Sequence, residues 1–278
     1  MNAIELKGLK KSFPDFTLGP VNLSVPKGTI LGLVGENGAG KTTTIKLMLG
    51  LLRAEGGHIS ILGQDAKKLD KNDIGVVLDE PGFPSMLNAG EIRSCLKDIY
   101  RSWDDAAWKD LMERFALPQT KKFSDFSKGM KMKLAIAAAM SHNAKLLILD
   151  EPTSGLDPVV RDEVVDMLSE FTRSPEHSIL LSSHIVSDLE KLCDYIAFLH
   201  RGQLLLCEEK DALYEQYGLL RCDLETLHTL DPSAVIGKKE TPYGAEVILR
   251  REASGNLALS PIGIEELFVF MVKGGETR

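Results

Sequence analysis

The sequence predicts an α/β fold built on a mostly parallel sheet, from three observations. First, the apolar run Ile30–Val34 feeds into Gly35-Glu36-Asn37-Gly38-Ala39-Gly40-Lys41-Thr42, and Ile45, Leu47, Met48 and Leu51 follow in a helical pattern. A buried strand, a glycine-rich turn and a helix in that order make a βα unit. Second, two more apolar runs end in Asp79-Glu80-Pro81 and Asp150-Glu151-Pro152, and the latter is uninterrupted from Leu146 to Leu149. Uninterrupted apolar strands are those covered on both faces, as in a central parallel sheet. Third, residues 1–30 alternate apolar and polar positions around Gly and Pro, which predicts antiparallel strands beside the parallel ones.

The remaining elements follow along the chain. "GGHISILG" adds a short strand. Residues 82–142, between the acidic pairs, read as an inserted helical region. Asn88 and Glu91 are spaced as a cap, and Ile92, Cys95, Leu96 and Ile99 keep helical spacing, as do Trp108, Leu111, Met112 and Phe115. Both stripes are expected in the core. Ser127 opens a further helix with Met130, Leu134, Ala137 and Ala138 on its apolar stripe. "DPVVRDEVVDMLSEF" is amphipathic, "SILLSSH" is a strand and "DYIAFLHRGQLLLCE" a hairpin. Residues 1–218 are expected to form one domain and 219–278 a small α/β appendage that packs on its own domain or lines a dimer. In it "AEVILRR" is a strand, and Ser260-Pro261 caps a last helix with Ile264, Leu267, Phe268 and Met271 on one face.

Composition narrows the class. With 278 residues, 44% apolar and 26% charged, the chain has the make-up of a soluble globular protein. No run approaches the about 18 apolar residues that span a bilayer. The N-terminus "MNAIELKGLKKSF" has no apolar signal core, so a cytoplasmic location is expected. A net charge of −7 argues against general nucleic-acid binding. Cys95, Cys193, Cys207 and Cys222 show no paired metal-ligand spacing and read as small buried apolar residues.

The glycine-rich turn carries the first chemistry. It fits G-x-x-x-x-G-K-[ST], in which glycines let successive backbone N–H groups converge on phosphate oxygens at the positive end of the next helix. Lys41 would reach the β- and γ-phosphates as a point charge, and the Thr42 hydroxyl would ligate Mg²⁺. Such a loop works with a carboxylate from a partner strand. Asp150 stands at the carboxyl end of its strand, where open α/β sheets bind ligands, and Glu151 is placed to polarise an attacking water. Asp79 and Glu80 also follow an apolar strand, but "GFPSMLNAGE" after them is loop-like.

The ordered set "GENGAGKTT" (which includes Thr43), "FSKGM", "LLILDEP", "SGLD" and His184 resembles the ATP-binding subunit of ABC transporters. More narrowly, it resembles the stand-alone ATPase subunits of bacterial ABC-2-type exporters, over about residues 3–215. The resemblance implies a P-loop ABC ATPase core with an inserted α-helical subdomain, and it makes the second acidic pair the catalytic one. It assigns Asp150 to Mg²⁺ through its water shell, Glu151 to general base, and His184 to the γ-phosphate and the attacking water. Phe13 matches the aromatic that stacks on adenine. Ser127 and Gly129 match the signature usually written L-S-G-G-Q, whereas Lys128 and Met130 depart from it, Lys128 adding a positive charge near the phosphate. In the family this motif faces nucleotide held by another subunit, so two chains bury two ATP molecules head to tail, with Asp157 across the same interface. Asp79 falls where most relatives carry a glutamine; an acid there can hold metal-bound water but cannot donate as an amide does.

The expected partners are therefore a second ATPase subunit, identical or pseudo-symmetric, and a separate transmembrane permease gripped by the helical subdomain. That would place the chain on the inner face of the membrane. A soluble ABC-type ATPase acting on DNA or ribosomes is the alternative, although such proteins usually carry a long coiled coil or two cassettes. A P-loop small-molecule kinase has no need of "FSKGM" or "SGLD". His58, His142, His177, His200 and His228 lack any such context and are expected to be structural.

Overall fold

In the computed structural model, which describes residues 1–275, the chain divides into two compact units, 1–204 and from Leu205 onward. The division falls before the expected boundary at 218 because the helix Lys210–Gln216 packs on the strand that follows it and on the turn at Arg251–Ala253.

The first unit opens with β1 (Asn2–Phe13) and β2 (Phe16–Pro26), an antiparallel pair. Then come β3 (Ile30–Val34), α1 (Lys41–Met48), β4 (Gly56–Ile61), β5 (Gln64–Asp65) and β6 (Ile74–Val77). The order β2-β1-β4-β5 makes a four-stranded antiparallel sheet, as the alternation in residues 1–30 requires. Its buried face carries Ile4, Leu6, Leu9, Leu18, Val21, Leu23 and Val25. Alternation slips between Leu6 and Leu9, where Gly8 takes φ 60° and its N–H is held by the Asn22 side chain at 2.8 Å.

Three helices follow, α2 (Ala89–Ile99), α3 (Asp105–Arg114) and α4 (Lys128–Met140). Asn88 and Glu91 close a reciprocal cap on α2, as their spacing predicts. The α3 stripe of Trp108, Leu111, Met112 and Phe115 is buried as expected. The α2 stripe is not. Only Ile92 is buried; Leu96 is half-buried, Cys95 is exposed and Ile99 is 67% exposed. Leu96 and Tyr100 face Ala135, Ala138 and Ala139 of α4 across a cavity of about 280 Å³, because three alanines leave too little side chain to cover that face.

The sheet resumes with β7 (Leu146–Asp150), α5 (Pro158–Phe171), β8 (Ser178–Ser183), α6 (Val186–Leu192), β9 (Tyr195–His200) and β10 (Gln203–Glu209). The order is β10-β9-β3-β8-β7-β6; β9, β3, β8, β7 and β6 run parallel, and every residue of β3, β7 and β8 is buried. Carboxyl ends of β3, β6, β7 and β8 therefore open on one edge. Arg201 and Gly202, with φ 45° and 79°, turn the expected β9–β10 hairpin.

The second unit continues with α7 (Lys210–Gln216), β11 (Tyr217–Cys222), α8 (Leu224–Thr229), β12 (Val235–Thr241), β13 (Gly244–Arg250) and α9 (Ile264–Gly275). The order β11-β13-β12 is antiparallel, with Leu220, Leu227, Ala234, Val247 and Leu249 as its core. The last helix begins later than Ser260-Pro261. Ser260 pairs instead as a β-bridge with Leu219, and the Gly263 carbonyl accepts the first helical bond, from Leu267 N at 3.0 Å. The buried face of α9 is consequently Ile264, Leu267 and Phe270, with Phe268 and Met271 half-buried. Of the four cysteines, Cys193 alone is buried. Among the described residues no helix is long and apolar enough to cross a membrane.

Candidate nucleotide-phosphate site

The loop between β3 and α1 is shaped by backbone crowding. A Cβ on Gly35 would lie 2.5 Å from the Leu199 carbonyl oxygen, so only glycine fits. Gly40 caps α1 at φ 109°, in the left-handed region. The loop is braced from behind: Gly202 N donates to Ala39 O at 2.9 Å and Gly19 N to Gly202 O at 2.7 Å. Within it Ala39 N donates to Glu36 O at 3.1 Å, and Thr44 Oγ1 donates to Gly40 O at 2.9 Å.

The Lys41 ammonium is buried at the centre of the loop. It donates to Gly35 O at 2.6 Å and Glu36 O at 3.4 Å, and pairs with Glu151 Oε1 at 3.1 Å. Glu151 takes φ 52°, a conformation that costs a side-chain-bearing residue roughly 1–2 kcal/mol. It is held there by its own N–H, which donates to Ser182 O and Ser182 Oγ, both at 3.1 Å. The other carboxylate oxygen, Oε2, lies 2.7 Å from His184 Nδ1 and 3.4 Å from His184 N. With Nδ1 engaged by Glu151, Nε2 is the ring nitrogen available to a ligand.

Asp150 lies just beneath, 1% exposed, and its Oδ1 accepts from Ser182 Oγ at 2.5 Å. Parallel register sets Ser182 of β8 beside Asp150 of β7. Sequence reading missed Ser182, although a serine in the otherwise apolar run "ILLSS", one strand over, was its signal. Phe16 and Ser154 were also missed. Phe16 pairs with Phe13 across the β1–β2 turn, with ring centroids 6.2 Å apart.

One cavity of about 720 Å³ opens here, and the buried Asp150 and Ser182 lie behind its wall rather than on it. Its lining includes Phe13, Phe16, the whole stretch Glu36–Thr43, Asp79, Glu151, Ser154 and His184. Phe13 is 38% exposed on its wall, with Lys11 Nζ 5.6 Å from the ring centroid. The first acidic pair divides: Asp79 faces this cavity, whereas Glu80 borders the cavity between α2 and α4. His200, expected to be purely structural, has Nδ1 2.8 Å from Glu36 Oε1, without the angle of a hydrogen bond. His142 and His177 do stack in structural positions, on Tyr100 at 3.9 Å and Phe171 at 4.4 Å.

Ser127, Lys128, Gly129 and Asp157 stand apart from this cavity. Ser127 caps α4 through Met130 N at 3.2 Å, and Asp157 caps α5 through Val160 N at 3.1 Å. The two caps adjoin, since a Cβ on Gly129 would lie 3.4 Å from Val160 Cγ1. Exposed Lys128 bends over Gly155, its amine 3.0 Å from where a Cβ there would sit.

A glycine-rich loop between strand and helix, a buried lysine and two acids at strand ends make up the architecture of the P-loop nucleotide-hydrolase class. Comparison with known proteins narrows this. Residues 18–154 match the ABC transporter family. The bacitracin transport ATP-binding protein BcrA of Enterococcus faecalis is 38% identical over 208 residues, covering 73% of this chain and 68% of that protein. The lantibiotic transport ATP-binding protein SrtF of Streptococcus pyogenes is 35% identical over 211 residues, 75% of this chain and 91% of the other. A solved ATP-binding subunit of an ABC transporter superposes with a TM-score of 0.69 at 29% identity, covering 76% of this chain and 91% of that one. The chain belongs to the ABC transporter ATP-binding family, and it is an ATPase subunit of that class.

Proposed function

We propose that two copies of this chain, or this chain and a near-twin, close head to tail around two Mg-ATP and so drive a separate membrane-spanning permease, as an exporter. The observation that carries the reading is the division within one chain. The loop, Asp79, Glu151 and His184 share one cavity, while Ser127, Gly129 and Asp157 form a second patch outside it. The α4 N-terminus offers first-turn N–H groups, the Ser127 hydroxyl and the exposed Lys128 ammonium, with no acid in its first turn. That patch suits the γ-phosphate of nucleotide bound by a partner.

In this reading the incoming γ-phosphate takes Lys41 from Glu151. The freed carboxylate accepts a proton from the water that attacks the γ-phosphorus as the bond to the ADP oxygen breaks. His184, its ring turned from Glu151 so that Nε2–H donates, contacts a γ-phosphate oxygen and keeps that water in line. Phe13 stacks on the base. The donors near the cavity for a metal are the Thr42 hydroxyl, Asp79 and the buried Asp150; no three of His, Cys, Asp and Glu converge as a cage among the described residues. Few, hard oxygen donors suit Mg²⁺, which keeps waters and phosphate oxygens as its other ligands. When bound, it neutralises charge developing on the phosphates. Asp79, joined through Glu80 to the α2–α4 cavity, is read as reporting Mg²⁺ occupancy to the permease.

The α2–α4 cavity supports permease docking. Its lining is apolar apart from Glu80, with Val76, Phe83, Leu96 and Tyr100, and the chain has no spanning helix of its own among the described residues. Membrane attachment on the inner face would then come through the partner. Relatives named for bacitracin and lantibiotic transport favour export of an antibiotic-like peptide. Affinity purification of the tagged chain from detergent-extracted membranes should recover a polytopic protein in stoichiometric amount; recovery of ribosomes or DNA instead would select a soluble ABC-type ATPase.

A further inference from the structure

Two helices carry one proposed site residue each at their leading ends. Asp157 is the N-cap of α5, and Arg161 N donates to Asp157 O at 3.0 Å, so Arg161 belongs to the first turn that Asp157 opens. His184 stands two residues before α6, whose first turn contains Asp188. The helices pack on each other, and between them Arg161 Nε lies 3.8 Å from Asp188 Oδ2. The Asp188 side chain is 7% exposed, and neither Arg161 Nε nor Asp188 Oδ2 has a hydrogen-bond partner among the described residues. A crevice of about 530 Å³ opens beside the pair, bordered by Pro158, Val159, Ser187 and Lys191.

A separation of 3.8 Å is attractive but too long for a hydrogen bond; a shift of roughly 1 Å would complete one. A buried carboxylate oxygen without a hydrogen bond costs free energy, so motion of α5 toward α6 that shortens this contact is favoured. The crevice leaves room for such a motion. Lys191 and Asp162, 3.5 Å apart, bridge the same helices at the surface, where water screens them.

We propose that Arg161 and Asp188 are a clasp that sets the position of Asp157 relative to His184, making both positioning residues for hydrolysis. The proposal rests on the roles given above to Asp157 and His184. A helix pair that moves as one lets the group on the γ-phosphate and the group at the subunit interface arrive together. ATP affinity itself, set by the loop and Phe13, lies outside the clasp.

Steady-state ATP hydrolysis by the full chain tests this with Arg161→Ala, Asp188→Ala, the double variant and Asp188→Glu, beside His184→Ala and Asp157→Ala. The clasp predicts kcat lowered about tenfold in each alanine variant, with KM for ATP within about twofold. The double variant should be no worse than either single one. Asp188→Glu, one methylene longer, should close the gap and keep at least half the turnover. Multiplying losses, parallel changes in KM and kcat, or wild-type kcat would overturn the clasp. If an alanine variant does not fold, Asp188→Asn, which keeps the side-chain shape, and Arg161→Gln, which keeps the first part of the stem, are judged by the same criteria. Unchanged turnover in His184→Ala and Asp157→Ala would instead overturn the reading on which the clasp rests.

Discussion

Ser182 gives the sharpest test of how the two acids are held. Its hydroxyl is fully buried, donates to Asp150 Oδ1 at 2.5 Å and accepts from Glu151 N at 3.1 Å. In Ser182→Ala the Glu151 amide keeps the Ser182 carbonyl, also at 3.1 Å, so the main loss is the bond to Asp150. A buried hydrogen bond to a charged group is worth about 1.5–3 kcal/mol, and one oxygen leaves little cavity behind. The expected destabilisation is about 2 kcal/mol, a fall in Tm of roughly 4–8 °C. If Asp150 serves Mg²⁺, losing its orienting partner should also raise the half-saturating Mg²⁺ concentration for ATP hydrolysis about tenfold or more. The assay is a Mg²⁺ titration at fixed ATP, with melting followed by circular dichroism. Ser183→Ala is the control, because that hydroxyl accepts from Ile185 N at 2.9 Å and has no hydrogen bond to either acid. An unchanged Mg²⁺ requirement in Ser182→Ala, or an equal shift in Ser183→Ala, would refute the reasoning.

Three further outcomes are expected. Asp79→Ala should raise the Mg²⁺ requirement several-fold and lower permease-coupled transport more than ATP hydrolysis, measured in vesicles carrying both subunits; transport and hydrolysis falling equally would remove its reporting role. Phe13→Ala should weaken ATP binding by about 0.5–1.5 kcal/mol, the worth of an aromatic contact. GTP binding should weaken by the same amount, because stacking does not read base edges; unequal losses in fluorescence titration would contradict that. His142 supplies a pH dependence. Burial holds its pKa below 6.5, outweighing the raising effect of its bond to the Asn72 carbonyl. The unfolded chain therefore binds the proton first, so stability is fully present above about pH 6.5 and declines as pH falls below it. Replacement of His142 by Phe, which can still stack on Tyr100, should flatten that decline in Tm; an identical profile would show that another group causes it.

Much of the site was legible because its chemistry demands particular residues at fixed spacing. Glycines at 35 and 40 answer a steric contact and a left-handed turn, Lys41 must reach from the helix start, and the acids must end a buried strand. Motifs of that kind survive any change in packing. What sequence alone did not give depends on contacts between distant segments. Ser182 matters through strand register, and the nearness of His200 to Glu36 follows from the return of β9 behind the loop. The α2 stripe has a helical period, yet burial depends on the opposite helix, and the alanines of α4 leave it half bare. In the second unit, Ser260 has good capping chemistry, but a β-bridge to Leu219 claims its backbone first and moves the helix start to Ile264.

The central claim is that one chain holds an incomplete reaction site. Glu151→Gln should bind ATP while stopping turnover, since an amide cannot take the proton from water. Its mass by light scattering, with saturating ATP and Mg²⁺, tests the claim most directly. A shift from 30.5 kDa to twice that value, reversed when Ser127 is also replaced by Arg, is the predicted result. A mass that stays at one chain with nucleotide bound, while the unsubstituted chain alone hydrolyses ATP at full rate, would contradict it.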